Sequence, residues 1–272
     1  MKRFGFLLLL MLAVPLSARA ETRIDRIRPD APELAAYGPY AIGVRTLTLP
    51  DAKRPLTVEV WYPAEPDVQG TTVLKALVRD GKTEASLRGK AVRDAAPAKD
   101  AKALPLVIIS HGFPGNRYLL SPLAENIASK GYVVAAIDHT DSTYDTLTDH
   151  SFASALVNRS PDQHFVLDHI ATALPKGEVD VSKTAVIGYS MGGYGTLITA
   201  GATLTKKAIE STDPMWSAPN GALAHQPKFD PRVKTAIVFA PAGWSKGFFD
   251  AESIKAIKVP MLFAAGSLDD VV

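Results

Sequence analysis

Two patterns of apolar and polar positions divide the chain near residue 104. Before that point, residues 41–49 (AIGVRTLTL) and 56–63 (LTVEVWYP) alternate apolar and polar side chains and are rich in β-branched residues. The alternation predicts two half-exposed strands, and the turn sequence PDAKRP between them predicts an antiparallel pair at an edge of the sheet. Residues 64–103 are polar and weakly patterned, so we expect a surface excursion there with at most a short helix.

From residue 104 onward the apolar positions form short, continuous runs. They lie at 104–110, 132–138, 183–188, 234–240 and 259–265. Continuous runs of this kind are typical of strands that are buried on both faces of a parallel sheet.

Helical patterns separate these runs, at 121–131 and at 160–174. The first has Ser121 as a candidate N-cap, and the second has Ser160 and Gln163 at the spacing of a capping box. Strands that alternate with helices predict a doubly wound, mostly parallel α/β domain with the antiparallel pair at its N-terminal edge.

The first twenty residues have the pattern of an export signal. Two basic residues precede an apolar run at 4–16, and Ala18-Arg19-Ala20 forms an A-x-A cleavage site. This arrangement predicts a signal peptide over 1–20, cleaved before Glu21, with a single domain over 21–272. The alternative is an uncleaved anchor, although the run is short for a membrane span of about 20 residues.

The net charge and the cysteine content exclude some kinds of binding partner and some kinds of catalysis. Without the three basic residues of the leader, the 30 Lys and Arg fall to 27, against 28 Asp and Glu. A net charge near −1 gives no electrostatic basis for binding nucleic acid or an anionic membrane. The absence of cysteine excludes disulfides and thiolate catalysis. We therefore expect a periplasmic or secreted protein with no nucleic-acid partner and no stable membrane span.

Gly188-Tyr189-Ser190-Met191-Gly192 matches the G-x-S-x-G pattern between a predicted strand and a predicted helix. A sharp turn at such a junction exposes the serine hydroxyl and places the next N–H at a helix N-terminus, where negative charge is stabilised. We predict that Ser190 is a nucleophile and that the Met191 N–H stabilises an oxyanion. The alternative is a glycine-rich turn that serves only helix packing.

The loop after the 104–110 strand supplies a second candidate donor. His111-Gly112-Phe113 follows this strand directly, and Gly112 lets the backbone turn so that the Phe113 N–H can face a substrate oxygen. We expect His111 to lie at the substrate pocket. It could act as a base, but a histidine at this position more often braces the loop.

Five segments carry a family resemblance: GVRTLTL…LTVEVWYPA, PLVIISHGFPGNR, LAENIASKGYVVAAIDHTDS, VIGYSMGG and PMLFAAGSLDD. From about residue 38 onward the chain resembles α/β-hydrolases of the dienelactone hydrolase-like and platelet-activating-factor acetylhydrolase-like group. The resemblance implies an α/β-hydrolase fold and cleavage of small-molecule or lipid-like esters, often with short-chain or oxidised acyl groups. It implies no cofactor, and the sequence contains no recognisable metal-ligand set.

The chain also resembles extracellular polyester-cleaving hydrolases, which implies that Trp244 is an aromatic residue of the substrate pocket. Packing beside Phe248 is the alternative role for this tryptophan. The irregular segment 204–232, between a helix and a strand, predicts a lid or pocket wall.

The family pattern places the catalytic acid at Asp269, three residues after Gly266, with Asp270 as the alternative. Asp138, His139 and Asp141 also follow a strand, where they could line the pocket or be structural.

In this family the order along the chain is serine, acid, histidine, but no histidine follows Asp269. We therefore expect that the catalytic histidine lies in sequence beyond Val272, together with a further helix and strand. His225, His111 or an inactive protein are the alternatives.

These features lead to one functional hypothesis and two competitors. The first is an exported serine hydrolase that cleaves carboxylic esters through an acyl-enzyme on Ser190. The second, from a different class, is a catalytically inactive binding protein that keeps the α/β-hydrolase pocket. A peptidase of the same fold is the third.

Overall fold

The computed structural model describes residues 21–50 and 54–270. The predicted signal peptide lies outside the described residues, as do residues 51–53 of the predicted turn. Within the described ranges the chain forms eleven strands: β1 Thr22–Arg23, β2 Ala41–Leu49, β3 Leu56–Ala64, β4 Val73–Leu77, β5 Glu84–Arg88, β6 Val92–Arg93, β7 Leu104–Ser110, β8 Val133–Asp138, β9 Val179–Tyr189, β10 Val233–Phe239 and β11 Met261–Ala264. It also forms five α-helices: α1 Ser121–Ala128, α2 Ser151–Ala173, α3 Met191–Thr199, α4 Lys206–Ile209 and α5 Ala251–Lys255.

The larger of two sheets has eight strands in the order β11-β10-β9-β7-β8-β3-β2-β6. Pairing is parallel from β11 through to β8, whereas β3 pairs antiparallel with β8 and with β2. The predicted doubly wound, mostly parallel sheet with an antiparallel N-terminal pair is therefore confirmed. The two-residue β6 pairs with the outer side of β2.

The strand order creates a crevice between β7 and β9. These two strands are neighbours, but the chain continues from β7 to β8 on one side and from β9 to β10 on the other. Where the winding of a parallel sheet reverses in this way, the loops after the two strands diverge and leave space for a ligand. The HGF sequence follows β7 directly, and the GYSMG sequence spans the end of β9 and the start of α3.

The central strands are buried on both faces, as their continuous apolar runs predict. In β7, Leu106 and Ile108 pack into the core on the side of α2, whereas Val107 and Ile109 pack on the side of α1. Successive side chains of a strand point to opposite faces, so a strand between two helical layers must be apolar at every position.

Residues 64–103 contain strands β4 and β5 of a small second sheet and the short strand β6, so the expectation of at most a short helix there is wrong. β4 and β5 pair antiparallel, and β1 pairs parallel with β5. Leu74 and Ala76 are buried while Lys75 between them is exposed, which is strand alternation over a short span. The carboxylate of Asp80 accepts hydrogen bonds from the N–H groups of Lys82 and Thr83 and so stabilises the connecting turn.

The two helices begin at other residues than the predicted caps. Leu120, rather than Ser121, occupies the N-cap position of α1. Helix α2 starts at Ser151 and continues for 23 residues through Pro161, so the predicted capping box is wrong. The Ser160 hydroxyl is instead buried and lies 2.9 Å from the Thr199 hydroxyl of α3.

The proline inside α2 is compensated by a side chain from outside the helix. Pro161 has no N–H, so it cannot donate to the carbonyl of Val157 one turn earlier. The Nε2 group of Gln226 donates to that carbonyl at 3.2 Å. The helix therefore continues through the proline because the segment after α4 supplies the missing donor.

The segment at 204–232 is irregular, as predicted, and contains only α4 and a 3₁₀ turn at Pro219–His225. Trp216 and Leu223 anchor it, because both are buried in the cluster that surrounds α3. Its role as a lid or pocket wall stays a prediction. Among the described residues, no helix is both long enough and apolar enough to cross a membrane.

Candidate active site

Ser190 lies between the last residue of β9 and the first of α3, in a backbone conformation that residues with a Cβ rarely adopt. Its φ and ψ angles are 52° and −116°. Its N–H donates to the Phe239 carbonyl at 2.9 Å, and its own carbonyl accepts from the N–H groups of Tyr194 and Ala242, both at 3.0 Å. A strained conformation costs about 1–3 kcal/mol and persists only where its surroundings fix it. These three hydrogen bonds fix it here.

The glycines two positions before and after Ser190 allow the strand and the helix to approach each other. A Cβ atom on Gly188 would lie 2.3 Å from the Gly192 carbonyl oxygen, and one on Gly192 would lie 2.1 Å from the Ser110 carbonyl oxygen. Both distances are far inside van der Waals contact, so neither position accepts a side chain without moving the backbone. The G-x-S-x-G spacing is therefore a packing requirement in this fold.

Two main-chain N–H groups beside Ser190 remain available as donors. Those of Phe113 and Met191 have no hydrogen-bond partner within the described part of the chain. Met191 is the first residue of α3, where the helix leaves N–H groups unpaired. A Cβ atom on Gly112 would lie 3.3 Å from the Ser190 Cβ, so the loop that carries Phe113 runs alongside Ser190. Such donors can stabilise negative charge that develops on an oxygen atom.

The carbonyl of Gly112 accepts two hydrogen bonds from buried side chains. The Nη2 group of Arg159 donates to it at 2.9 Å, and the His111 Nδ1 lies 2.6 Å away. The main-chain N–H of His139 donates to the His111 Nε2 at 3.2 Å, so Nε2 carries no proton and Nδ1–H is the donor. His111 therefore braces the loop from behind and, at 2% exposure, is not on the pocket surface.

A second serine, histidine and aspartate are aligned behind this loop. The His139 Nε2 lies 2.7 Å from the Ser110 hydroxyl, and its Nδ1 lies 2.8 Å from the Asp162 carboxylate, which is itself paired with Arg54. All three of these residues are buried, so the arrangement is closed to a substrate. It connects the ends of β7 and β8 to α2.

Burial lowers the pKa of both His111 and His139 well below the ordinary value of 6.5, and the nearby Arg159 cation lowers it further. Both imidazoles are therefore neutral at pH 7. A general base must accept a proton as it acts. Burial and the cation oppose this role for either ring, and protonation of the His111 Nε2 would also break its hydrogen bond from the His139 N–H.

An aromatic series starts at the loop after β7. The rings of Phe113 and Phe152 lie 5.0 Å apart, those of Phe152 and Trp216 4.9 Å apart, and those of Trp216 and Phe248 5.5 Å apart, all edge to face. Offset and edge-to-face pairs at these distances are favourable. The series ties the loop to α2 and to the irregular segment 204–232.

Comparison with solved structures gives a likeness over almost the whole chain. A ferulic acid esterase from Streptomyces cinnamoneus superposes with a TM-score of 0.55 at 24% identity, covering 90% of this chain and 76% of the esterase. The sheet order, the strand-to-helix turn at Ser190 and this likeness agree. The chain has an α/β-hydrolase fold. The predicted resemblance to α/β-hydrolases is confirmed.

Sequence comparisons find similarity to one protein family and to several named enzymes. Residues 95–220 match the profile of a family described as "PETase: PET hydrolase-like". Cutinase est2 of Thermobifida alba is 37% identical over 91 residues, which are 34% of this chain and 28% of the cutinase. Dipeptidyl aminopeptidase BIII of Pseudoxanthomonas mexicana is 28% identical over 218 residues, 67% of this chain and 30% of that protein. The chain thus spans less than a third of the length of each of these two relatives.

The predicted acid follows β11, an outer strand of the large sheet. Asp269 and its alternative Asp270 are exposed on the turn after β11. Because β9, β10 and β11 are parallel, this turn is at the same edge of the sheet as Ser190. Asp269 is thus on the expected edge, two strands away from β9.

The predicted pocket aromatic, Trp244, follows β10 and is 45% exposed. It lines an apolar cavity of about 370 Å³ with side chains of α3, α5 and β11. The Phe248 ring packs against those of Trp216 and Tyr194, and among the described residues no ring contact joins Trp244 to Phe248.

The other four histidines are distributed over the surface and α2. His150 and His225 are exposed, while His164 and His169 lie against main-chain carbonyls of α2. None of the six histidines, all of which are described, is hydrogen-bonded to Ser190. Within residues 21–50 and 54–270 no group of side chains has the composition to hold a metal ion.

Sequence reasoning missed Arg159 and the alignment of Ser110, His139 and Asp162. Arg159 lies just before the predicted helix at 160–174, so it was not weighed as a helical residue. A helix that starts earlier would have placed it one turn before Gln163 and two before Val166, on the buried face of α2. A charged residue on a buried face is the signal that was available.

Proposed function

We propose that the protein is a serine hydrolase that cleaves carboxylic esters through an acyl-enzyme on Ser190. The observation that carries the proposal is the positive φ of Ser190, held by three main-chain hydrogen bonds at the junction of β9 and α3. Strain of this kind is concentrated at functional sites, where it aims a reactive group.

In the proposed reaction, the Ser190 hydroxyl oxygen attacks the ester carbonyl carbon. The N–H groups of Phe113 and Met191 stabilise the oxyanion of the tetrahedral intermediate. The serine proton passes to a general base oriented by Asp269 and then to the departing alkoxide, which leaves as the alcohol. Water next attacks the acyl-enzyme, releases the carboxylic acid and returns the proton to Ser190.

The general base of this reaction is assigned to none of the six histidines. His111 and His139 are engaged behind the loop, and in the described part of the chain none of the other four is hydrogen-bonded to Ser190. His225 lies on the irregular segment and is the candidate base to be tested by substitution, because it alone of the six histidines follows Ser190 in the sequence.

The proposed substrate class is small-molecule or lipid-like carboxylic esters. Support comes from relatives that are named cutinases and from a neighbour named as a ferulic acid esterase. Trp244 is exposed after β10, at the same edge of the sheet as Ser190, and is the proposed aromatic contact for an apolar ester.

A fluorophosphonate probe tests the proposed nucleophile directly, because it phosphonylates an activated serine. We expect the full-length protein to be labelled and Ser190→Ala to abolish labelling. Ser110→Ala is the matched control, since Ser110 also faces a histidine but is buried, and it should retain the label. No labelling of the wild type supports the inactive binding protein, and labelling that survives Ser190→Ala refutes the proposed nucleophile.

Peptide hydrolysis is a second candidate, because the dipeptidyl aminopeptidase relative aligns with two-thirds of this chain. Turnover of p-nitrophenyl acetate against that of aminoacyl p-nitroanilides separates the two activities. Faster turnover of the anilides would favour the peptidase, and loss of ester turnover in His225→Ala would identify His225 as the base.

We also propose that the protein is exported and begins at Glu21 after cleavage. The basic start, apolar run and A-x-A site at 1–20 support this. The intact mass of protein recovered from the periplasm or the medium decides it, because a mass that retains residues 1–20 contradicts cleavage.

A further inference from the structure

Arg159 is a buried cation, 1% exposed, that joins the loops after β7 and β8. Its Nη2 donates to the Gly112 carbonyl at 2.9 Å, and its Nη1 donates to the Ser142 hydroxyl at 2.8 Å. Neither partner is charged. Removing a guanidinium from water costs several kcal/mol. Burial of Arg159 against a neutral carbonyl is therefore costly, and packing alone does not account for it.

The geometry of the peptide unit links this contact to Phe113. Among the described residues only the Phe113–Pro114 bond is cis, so the Gly112–Phe113 peptide is trans. In a planar trans peptide the C=O and N–H groups point in opposite directions. A donor that holds the Gly112 oxygen on the side of α2 therefore directs the Phe113 N–H to the other side, and this N–H has no partner in the described chain.

We infer that Arg159 is a positioning residue of the oxyanion hole, which holds the Gly112 carbonyl so that the Phe113 N–H faces the oxyanion formed at Ser190. The inference rests on the proposed function. His111 holds the same carbonyl from within the loop, and Ser142 fixes the second arm of the guanidinium.

The charge of Arg159 strengthens the same donor. A hydrogen bond from a cation to the carbonyl of an amide polarises the amide and makes its N–H a better donor. Burial lowers the pKa of Arg159 to about 9, and the Asp162 carboxylate one turn along α2 opposes that shift. The guanidinium therefore remains protonated at neutral pH, where the hydrolase would act.

Arg159→Met in the full-length protein removes both donors and keeps a side chain of similar length. We expect kcat for p-nitrophenyl acetate to fall about tenfold or more while KM changes less than about twofold. Loss of an entire oxyanion donor costs about 10²–10³ in kcat, and a misdirected donor loses part of that. Arg159→Lys, which keeps the charge but not the two-armed geometry, should recover part of the loss.

A spectroscopic readout separates positioning from a general structural role. Diisopropyl fluorophosphate forms an adduct on Ser190 whose phosphoryl oxygen occupies the oxyanion hole, so its ³¹P chemical shift reports the donors there. We expect this shift to move in Arg159→Met. Arg232→Met is the matched control: Arg232 also donates to a carbonyl of α2, that of Leu167, but it lies at the opposite edge of the sheet. The control should keep the wild-type shift and kcat.

The outcomes distinguish this inference from the proposed function. A wild type that is not labelled at Ser190 refutes the proposed function. A labelled wild type whose kcat and ³¹P shift are unchanged in Arg159→Met refutes the positioning role alone. If Arg159→Met does not fold, Arg159→Lys and Ser142→Ala carry the same test, and unchanged kcat and ³¹P shift in both refute it.

Discussion

Ser190 carries a backbone strain that glycine would not carry. Its φ of 52° is tolerated because the main chain on either side is hydrogen-bonded to β10 and α3 and to the turn after β10. The strain is linked to the Cβ atom, because without it the same φ and ψ are ordinary. The residue proposed to act as nucleophile should therefore lower the stability of the fold it belongs to.

Ser190→Gly should raise the free energy of unfolding by about 1 kcal/mol. Relief of strain raises the free energy of unfolding by about 1–3 kcal/mol. The greater freedom of glycine in the unfolded chain lowers it by about 0.5–1 kcal/mol. Urea unfolding measures the change. Ser190→Ala, which also lacks the hydroxyl but keeps the Cβ, is the control and should show no comparable gain. Equal stability of the two variants would contradict the strain.

The residues of the site differ in how far a sequence can reveal them. Ser190 and its two glycines form a local pattern whose packing reason lies within five residues. The contacts of His139 join residues 29 and 23 positions away, and only the folded chain brings them together. Arg159 could not be identified from the sequence because its role depends on where α2 begins.

At the scale of elements, α2 is continuous only with help from another segment. The Val157 carbonyl would lack a donor because of Pro161, and Gln226 supplies one. An unsatisfied carbonyl costs about 1–3 kcal/mol when it is buried. The irregular segment that carries Gln226 therefore contributes to the stability of the helix.

A double-mutant cycle tests this dependence. Gln226→Ala should lower the free energy of unfolding by about 1 kcal/mol, because it removes the donor to Val157. In a Pro161→Ala background the new N–H at residue 161 can donate to the same carbonyl, so Gln226→Ala should then cost much less. Urea unfolding of the four proteins gives the coupling. Costs that are equal in the two backgrounds would show that Gln226 acts independently of the proline.

Elements with strong patterns were predicted from the sequence, and elements with weak ones were not. Strands β7, β8 and β9 are confirmed because burial of their apolar residues leaves continuous apolar runs. Strands β10 and β11 are also present, but the expected burial of β11 is wrong, because Leu262 and Phe263 are exposed. The β4–β5 hairpin was missed because each strand is five residues long and only one face of β4 is buried. The start of α2 was missed because a serine followed by proline is typical of a helix N-terminus, whereas here Gln226 makes the proline tolerable inside the helix.

At the scale of the whole molecule, the buried histidines make stability depend on pH. His111 and His139 stay neutral in the folded protein, because burial keeps their pKa values well below 6.5. In the unfolded chain they gain protons near pH 6.5. Their contribution to stability is therefore complete above that pH and is lost as the pH falls below it.

We expect each of the two histidines to lower the free energy of unfolding by up to about 1.4 kcal/mol per pH unit below 6.5. Urea unfolding at pH 7.5, 6.5 and 5.5 measures the slope, and His139→Asn should make it less steep. His225→Gln, at an exposed site, is the control. Burial raises the pKa of Glu125 and Asp162, which changes the slope in the opposite direction, so the comparison of variants is decisive. An equal slope in His139→Asn and the wild type would contradict the prediction.

The aromatic series that begins at Phe113 gives the protein an optical signal. Its three tryptophans differ in exposure: Trp61 at 0%, Trp216 at 8% and Trp244 at 45%. Emission from an indole shifts to longer wavelength as water reaches it, so Trp61 reports the sheet, Trp244 the exposed cavity, and Trp216 the packing that extends to the loop beside Ser190. With Trp61 and Trp244 replaced by phenylalanine, the emission of the remaining indole would follow movement of that loop in real time, without an added dye.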